Sequence, residues 1–272
     1  MDNNTKPLGE PWAGVLPPPY FQEATPSRGP STGATSSWTR FACVTVDRSD
    51  RIRLVNFRAE DTRALRGVLG SVWPIKDVRP CGSADEIKFK GYPWRKNGDD
   101  KARRLVRRML EALYDMGWVL QAAVDVSRKD LEKDSLVFRY QDPHPPRCDW
   151  LSISFDCADK MKIVDAPPGD LTEAIVAEFQ ANHRLKSHEL ENDRLKLKFH
   201  GRPWQAQGEE CVGTKMLLLS MLEILEQFGY SLYASINQVS YGGSSGFEVA
   251  GADVLIVTRQ KGWTPGMPIW HR

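Results

Sequence analysis

The chain has 272 residues, 41% of them hydrophobic and 26% charged, which is the composition of a globular protein with one or two domains. A net charge of +2 excludes a protein that binds polyanions through overall positive charge, although basic residues can still cluster on one face. Five cysteines stand singly, without a C-x-x-C pair, which argues against a disulfide framework or a structural zinc site and favours a reducing compartment.

Two stretches bear on targeting and membrane insertion. The N-terminus has no apolar run of the kind found in signal peptides. The most apolar stretch, residues 216–230, contains Glu223, Glu226 and Gln227 and is too short to cross a bilayer. We therefore expect a cytoplasmic or nuclear protein without a transmembrane segment.

Residues 1–37 are rich in Pro, Gly, Ser and Thr and lack a periodic apolar pattern, which predicts a disordered tail. Inside this tail, Pro17, Pro18, Pro19 and Tyr20 fit the P-P-x-Y pattern and resemble ligands of WW domains. Such a segment binds with little loss of entropy because its polyproline helix is already formed. The hypothesis is that Pro17, Pro18 and Tyr20 recruit a WW-domain partner.

After the tail, the sequence repeats itself, and this is the strongest signal in the chain. FACVTVDRSDRIRLVNF (41–57) aligns with WLSISFDCADKMKIVDA (150–166), and each reads as two alternating strands joined by a turn. Helices are predicted next at 59–73 and 169–183, and a third strand follows in EIKFKGY and RLKLKFHG. A second helix and two further strands complete each half, with 102–127 matching 214–240.

Each half therefore reads β-β-α-β-α-β-β. We predict an α+β fold made by tandem duplication, with mostly antiparallel sheet, helices on one face, and a pseudo-two-fold relation between the repeats. A single continuous sheet through both halves is an open alternative. The predicted divisions are a tail (1–37), a first repeat (38–141), a linker (142–149), a second repeat (150–261) and a C-terminal tail (262–272).

The phrases KFKGYPW (88–94) and KFHGRPW (198–204) mark the same position in both halves. Glycine lets a strand end in a conformation that other residues resist, and proline fixes the direction of the exit. The tryptophan can then fold back over the seam between helix and sheet. Trp94 and Trp204 are interpreted as structural corners, and the alternative is that they form the walls of two equivalent pockets.

The outward faces of the second helices differ between the halves. One face of the first carries Arg103, Arg104, Arg107 and Arg108, which predicts either a solvated surface or an acceptor for phosphate or acidic ligands. Lysines at alternate strand positions, among them Lys88 and Lys198, are candidates to extend this anion-binding surface over the open sheet faces.

Apolar residues stand at the matching positions of the second half. Met216 and Leu219 lie where Arg104 and Arg107 lie in the first half. Exposed apolar side chains indicate a seam with the other half, with the C-terminal tail, or with another chain. We expect the tail around Trp263 to cover them.

No catalytic residue, metal ligand set or cofactor site is predicted, since the histidines form no H-E-x-x-H and no serine lies in a G-x-S-x-G turn. The sequence favours a non-enzymatic interaction scaffold or adaptor. One alternative is a binder of anionic ligands, RNA or phosphoinositide, through the basic helix and sheet faces. A second alternative is an enzyme whose pocket lies between the repeats.

Overall fold

The computed structural model describes residues 40–94, 99–124, 132–191, 193–236 and 254–269. These ranges contain two six-stranded antiparallel sheets and four α-helices, and they fall within one compact unit, Thr39–Arg272. The predicted α+β class, the duplication and the antiparallel pairing are confirmed. The chain forms two separate sheets rather than one continuous sheet.

The two repeats have the same order of elements. The first contains β1 (Phe41–Asp47), β2 (Arg51–Val55), α1 (Ala59–Val72), β3 (Ile75–Cys81), β4 (Ala84–Phe89), α2 (Asp100–Asp115), β5 (Trp118–Val124) and β6 (Glu132–Tyr140). The second contains β7 (Cys148–Asp156), β8 (Lys160–Val164), α3 (Gly169–Ala181), β9 (Leu185–Glu191), β10 (Arg194–Phe199), α4 (Glu210–Gln227), β11 (Ser231–Ile236) and β12 (Val254–Gln260). We call β1–β6 the first sheet and β7–β12 the second sheet.

The strand order is β3-β4-β2-β1-β6-β5 in the first sheet and β9-β10-β8-β7-β12-β11 in the second, so the two topologies are identical. Each repeat has one strand more than the sequence predicted, namely β3 and β9. Both are edge strands whose side chains are largely exposed, so neither carries the alternation of buried and exposed residues that reveals a half-buried strand. Pro80 in β3 is tolerated because an edge strand leaves one row of amides unpaired.

Alternation along the central strands separates the two faces of each sheet. In β7, Leu151 and Ile153 belong to the core that α3 and α4 cover. Ser152 and Ser154 point to the opposite face, yet both are fully buried. These serines are buried because α2 of the first repeat packs against β7.

The contacts between the repeats are not reciprocal. A two-fold axis would place α4 against the first sheet in the way that α2 lies against the second. Met216 and Leu219 on α4 are instead 57% and 49% exposed. The repeats are joined head to tail, and the expected pseudo-two-fold packing is corrected accordingly. Helix α2 lies between two sheets, whereas α4 has a sheet on one side.

Candidate docking surface

The arginines of α2 face the second sheet rather than solvent. The side chain of Arg103 is 3% exposed, and its guanidinium group contacts the carboxylate of Asp156 at the end of β7. It also lies 2.8 Å from Asp100, one turn earlier on its own helix. A charge this deeply buried is tolerated because two carboxylates surround it.

Two neighbouring arginines extend this contact. Arg104 pairs with Asp193 and lies 3.3 Å from Asp165, and the Nε atom of Arg107 lies 2.7 Å from the same Asp165 carboxylate. Ser152 on β7 donates a hydrogen bond of 3.0 Å to Asp165 and so holds that carboxylate in place. The acidic groups of the second repeat therefore match the basic groups of the first.

Two ion pairs cross the contact in the opposite direction, and both involve Asp100. Asp100 on α2 accepts from Arg194 on β10, and Lys162 on β8 lies 3.4 Å away. Burial alone would raise the pKa of Asp100, but Arg194, Lys162 and Arg103 outweigh burial and hold it below the ordinary value. The contact is thus a network of buried and half-buried charges that are paired within the chain.

These contacts determine how far the four arginines of α2 are available to an external anion. Arg103, Arg104 and Arg107 were expected to face outward, and that premise is wrong because carboxylates of the same chain bind them. Arg108 is 42% exposed and pairs with Glu111 at 2.7 Å on its own helix. Each of the four arginines thus has a carboxylate of the same chain beside it, and Arg108 is the most exposed of the four.

The lysines that were expected to extend the anion site are also paired. Lys88 lies 3.4 Å from Asp50 in the β1–β2 turn, and Lys198 lies 3.8 Å from Asp159 in the matching turn of the second repeat. Their side chains remain part-exposed, but each positive charge has a carboxylate beside it. The sheet faces are consequently less basic than the alternating lysines indicated.

On the first sheet the charges converge on one carboxylate. Glu86 on β4 is 1% exposed, and three guanidinium groups surround it: Arg51 at 2.9 Å, Arg53 at 3.1 Å and Arg79 at 2.9 Å. Burial alone would raise the pKa of Glu86, but these arginines lower it below the ordinary value. The cluster neutralises the centre of this surface.

The edge pairs of the two sheets carry reversed charges. In the first sheet Arg79 on β3 stands directly opposite Glu86 on β4. At the same position of the second sheet, Glu189 on β9 stands opposite Lys196 on β10, with Lys196 Nζ 3.1 Å from the carboxylate. The repeats keep an opposite-charge pair at this position but exchange which strand carries the positive charge.

The doubled phrase forms a corner in both repeats. The amide of Phe89 donates to the carbonyl of Asp50 at 2.7 Å, and the amide of Trp94 donates to Ser49 at 3.3 Å, so the corner is tied to the β1–β2 turn. The Trp94 ring is buried and lies edge-on to Phe89 with centroids 5.9 Å apart. This geometry agrees with the interpretation of Trp94 as a structural corner.

The second corner repeats these bonds and has a cavity beside it. Trp204 lies edge-on to Phe199 at 5.4 Å, and its indole donates to the carbonyl of Lys160 at 2.8 Å. An open cavity of about 510 Å³ lies between the corner and the start of α4. Arg184 and Pro203 line this cavity and Trp204 does not, so the tryptophan does not form the pocket wall of the alternative hypothesis.

Helix α4 exposes a row of apolar side chains that we call the α4 face. It consists of Val212, Met216 and Leu219, which are 65%, 57% and 49% exposed. Their spacing places them on one side of the helix. The described part of the C-terminal segment, residues 262–269, does not cover them, contrary to expectation, because Trp263 instead packs against Gly229 beyond the end of the helix.

Aromatic rings fill part of the space between the repeats. Tyr114 of α2 lies edge-on to Trp150 and Tyr233 of the second repeat, with ring centroids 5.4 and 5.7 Å away. The hydroxyl of Tyr233 accepts a 2.9 Å hydrogen bond from the amide of Leu120. At this point of the contact, packed side chains occupy the space in which the enzyme alternative places its pocket.

Three further findings concern the described ranges alone. They contain no group of His, Cys, Asp and Glu side chains arranged to hold a metal ion. None of their helices is long and apolar enough to span a bilayer. The Pro17–Tyr20 motif lies outside the residues that the structure describes.

Sequence comparison supports the duplication independently. One protein-family model, whose description carries no functional term, matches the chain twice, over residues 40–139 and 149–257. The two matches together cover most of the chain and correspond to the two repeats. No curated protein and no solved structure matches the chain.

Proposed function

The chain belongs to the family whose model matches both repeats, and so carries that domain twice, and we propose that it is a non-enzymatic protein-interaction module, a scaffold or adaptor. The observation that carries this proposal is the α4 face. In the first repeat the matching helix face is buried against a sheet, whereas in the second repeat the same face is apolar and about half exposed or more. An exposed row of apolar side chains on a helix typically marks a binding surface.

The α4 face can be tested with a photo-crosslinking amino acid. Placed at Leu219 in the full chain in cells, it should form covalent adducts with a protein that contacts this face. The matched control is the same crosslinker at Leu190 on the edge strand β9, which is 61% exposed but lies away from α4. Equal and sparse adducts at both positions would reject the α4 face as a docking surface.

The tail supplies a second part of the same proposal. Pro17, Pro18 and Tyr20 form the P-P-x-Y pattern, and a tyrosine next to a polyproline helix is what the groove of a WW domain accepts. Titration of a purified WW domain into the full chain and into Tyr20→Ala tests this part. Binding that is unaffected by the substitution would remove the tail from the proposal.

A reducing compartment, cytoplasm or nucleus, is the expected location. All five cysteines lie in the described residues and are free thiols. Free thiols persist where glutathione and thioredoxin keep cysteines reduced. Fluorescence microscopy of the tagged chain measures this directly, and accumulation in the secretory pathway would contradict it.

The cavity beside the second corner favours a second candidate function, the binding of an anionic ligand. Arg184, His200 and Arg202 line it together with Glu209 and Glu210. Guanidinium groups are suited to phosphate and carboxylate groups. A soluble inositol phosphate and a short RNA are the probes, and Arg184→Glu with Arg202→Glu should abolish their binding, whereas Arg108→Glu should leave it intact. Equal affinity in all variants would reject this function.

A further inference from the structure

We propose that the α4 face binds the outer face of the first sheet in a second copy of this chain, so that copies join head to tail as the repeats already do within one chain. This inference rests on the proposed function, because it takes the α4 face to be a docking surface and names its occupant. The outer face of the first sheet is the one turned away from α1 and α2.

The two repeats match closely enough that the contact between them can be compared, residue by residue, with the α4 face and the outer face of the first sheet. We call these two surfaces the free ends. Helices α2 and α4 end in the same way, since Gly117 donates to Tyr114 and Gly229 donates to Glu226 in equivalent hydrogen bonds. The central strands share their register, because the pairs Cys43–Val55 and Ser152–Val164 occupy the same place. Each residue of the α2 contact therefore has a counterpart either on α4 or on the first sheet.

The first charged pair of the internal contact becomes apolar at both free ends. Asp100 on α2 pairs with Arg194 on β10. The counterpart of Asp100 is Val212 on α4, and the counterpart of Arg194 is Ala84 on β4. Neither free end keeps a charge that would need the missing partner.

A second pair changes in the same sense. Arg104 binds Asp165 and Asp193 across the internal contact. Its counterpart is Met216. The counterparts of the two carboxylates are the uncharged Asn56 and Ser83 on the first sheet.

A third charged pair is also replaced by uncharged residues at both free ends. Arg107 also binds Asp165, and Ser152 supports that carboxylate. The counterpart of Arg107 is Leu219, and the counterpart of Ser152 is Cys43. An apolar helix face would thus meet a part of the sheet that has lost its acidic groups.

One charged pair is kept. Arg103 binds Asp156 in the internal contact, and the counterparts are Lys215 on α4 and Asp47 on β1, which retain opposite charges. Asp47 is buried and already binds Arg53 at 2.7 Å, just as Asp156 also binds Lys162. Charge is lost on both surfaces at three positions and opposite charge is kept at a fourth, so the two surfaces would meet without unpaired charges at these positions. Random divergence of two exposed surfaces favours polar residues and does not place Val, Met and Leu in one row.

The sheet side also exposes an aromatic ring. Phe41 on β1 is 48% exposed. Its counterpart, Trp150, is buried at the internal contact and lies against Tyr114. The first sheet thus presents, uncovered, the position that the second sheet covers.

The contact joins two different surfaces, so each copy in a dimer still has one of its two surfaces free. Further copies can therefore add to the dimer, and growth stops only if the copies close into a ring. Sedimentation velocity of the full chain should show a mass that rises with protein concentration. Met216→Asp with Leu219→Asp blocks the helix end, and Phe41→Lys blocks the sheet end. Each blocked chain should be at least about tenfold weaker in self-association.

A mixing experiment separates this arrangement from every symmetric one. The two blocked chains should each be monomeric alone, and mixed they should form one-to-one dimers that grow no further, because each supplies the end that the other lacks. Leu190→Asp is the matched control and should associate like the wild type. Circular dichroism and the urea midpoint establish that each variant is folded, and Val212→Lys replaces the double variant if it is not.

Three results would overturn the inference: a wild type that remains monomeric at every concentration, a helix-blocked chain that associates like the wild type, or a mixture that stays monomeric. If self-association fails while the crosslinker at Leu219 captures a different protein, the second copy is the wrong occupant and the proposed function stands. If both experiments fail, the α4 face is not a docking surface and both proposals fall.

Discussion

Replacing Arg103 with methionine tests whether the buried charges hold the two repeats together. Methionine keeps an unbranched apolar stem but removes the cation that lies between Asp156 and Asp100. Removing one partner of a buried ion pair costs about 3 to 5 kcal/mol, because the other charge stays buried without compensation. Lys162 remains 3.0 Å from Asp156 and 3.4 Å from Asp100. We therefore expect a loss of about 2 to 3 kcal/mol in the free energy of unfolding.

Asp156→Asn completes a double-mutant cycle with this change. If the two groups act through each other, the double variant should lose less than the sum of the single variants, by about 1 to 3 kcal/mol. Urea unfolding followed by tryptophan fluorescence measures all four free energies, and Trp150 reports on the contact because it lies against Tyr114.

The matched control is Arg108→Met, on the same helix but 42% exposed and paired with Glu111. Exposed helical ion pairs contribute little, so its free energy of unfolding should change by no more than about 0.5 kcal/mol. If Arg103→Met were as mild as Arg108→Met, the contact between the repeats would not depend on its buried charges, and the reasoning would be refuted.

Three further predictions concern other parts of the fold. Glu86→Gln leaves three guanidinium groups without their shared carboxylate and should cost about 3 kcal/mol in urea unfolding, whereas Glu223→Gln on the exposed side of α4 should cost far less. The pKa values of Glu86 and Asp100 are lowered in the folded chain, so these carboxylates take up protons first in the unfolded chain. The stability that the two carboxylates provide is complete above the ordinary carboxylate pKa of about 4. It is lost as the pH falls through their pKa values in the folded chain. Urea midpoints between about pH 7 and about pH 3 should therefore fall, and a fall equally steep in Glu86→Gln would exclude Glu86 as a source. Gly229→Ala should lower the stability by more than about 1 kcal/mol, since φ is +78° and the new Cβ would lie 2.3 Å from Trp263; Gly262→Ala, with φ +80° and open space, isolates the backbone part.

Much of the fold could be predicted because the repeats confirm each other. Alternation places Ile52 and Leu54 on one face of β2, as it places Met161 and Ile163 on β8, and each pair lies in a core. The helices follow from apolar stripes in the same way. The strands β3 and β9 could not be found by this route because their exposed side chains carry no burial pattern.

The arginine face shows why the candidate site was harder to predict. A side chain that points away from the core of its own repeat is exposed to solvent only if no other element covers that side of the helix. The periodicity of the helix sequence does not show whether such an element exists. A signal was nevertheless present in the comparison of the repeats. Asp165 and Asp193 occur in the half that lacks the arginines, whereas their counterparts Asn56 and Ser83 are uncharged. Opposite charges divided between the two halves indicate that they meet.

The reversed edge pairs have a consequence for how the chain reaches its native state. Tandem repeats of one fold risk pairing a strand of one repeat with a strand of the other while they fold. If β3 paired with β10 in the native register, Arg79 would face Lys196; if β9 paired with β4, Glu189 would face Glu86. Like charges directly opposite each other destabilise a strand pair, so both exchanges are disfavoured and the correct ones are not. The exchanged pair of charges thus favours strand pairing within each repeat over pairing between the repeats while the chain folds.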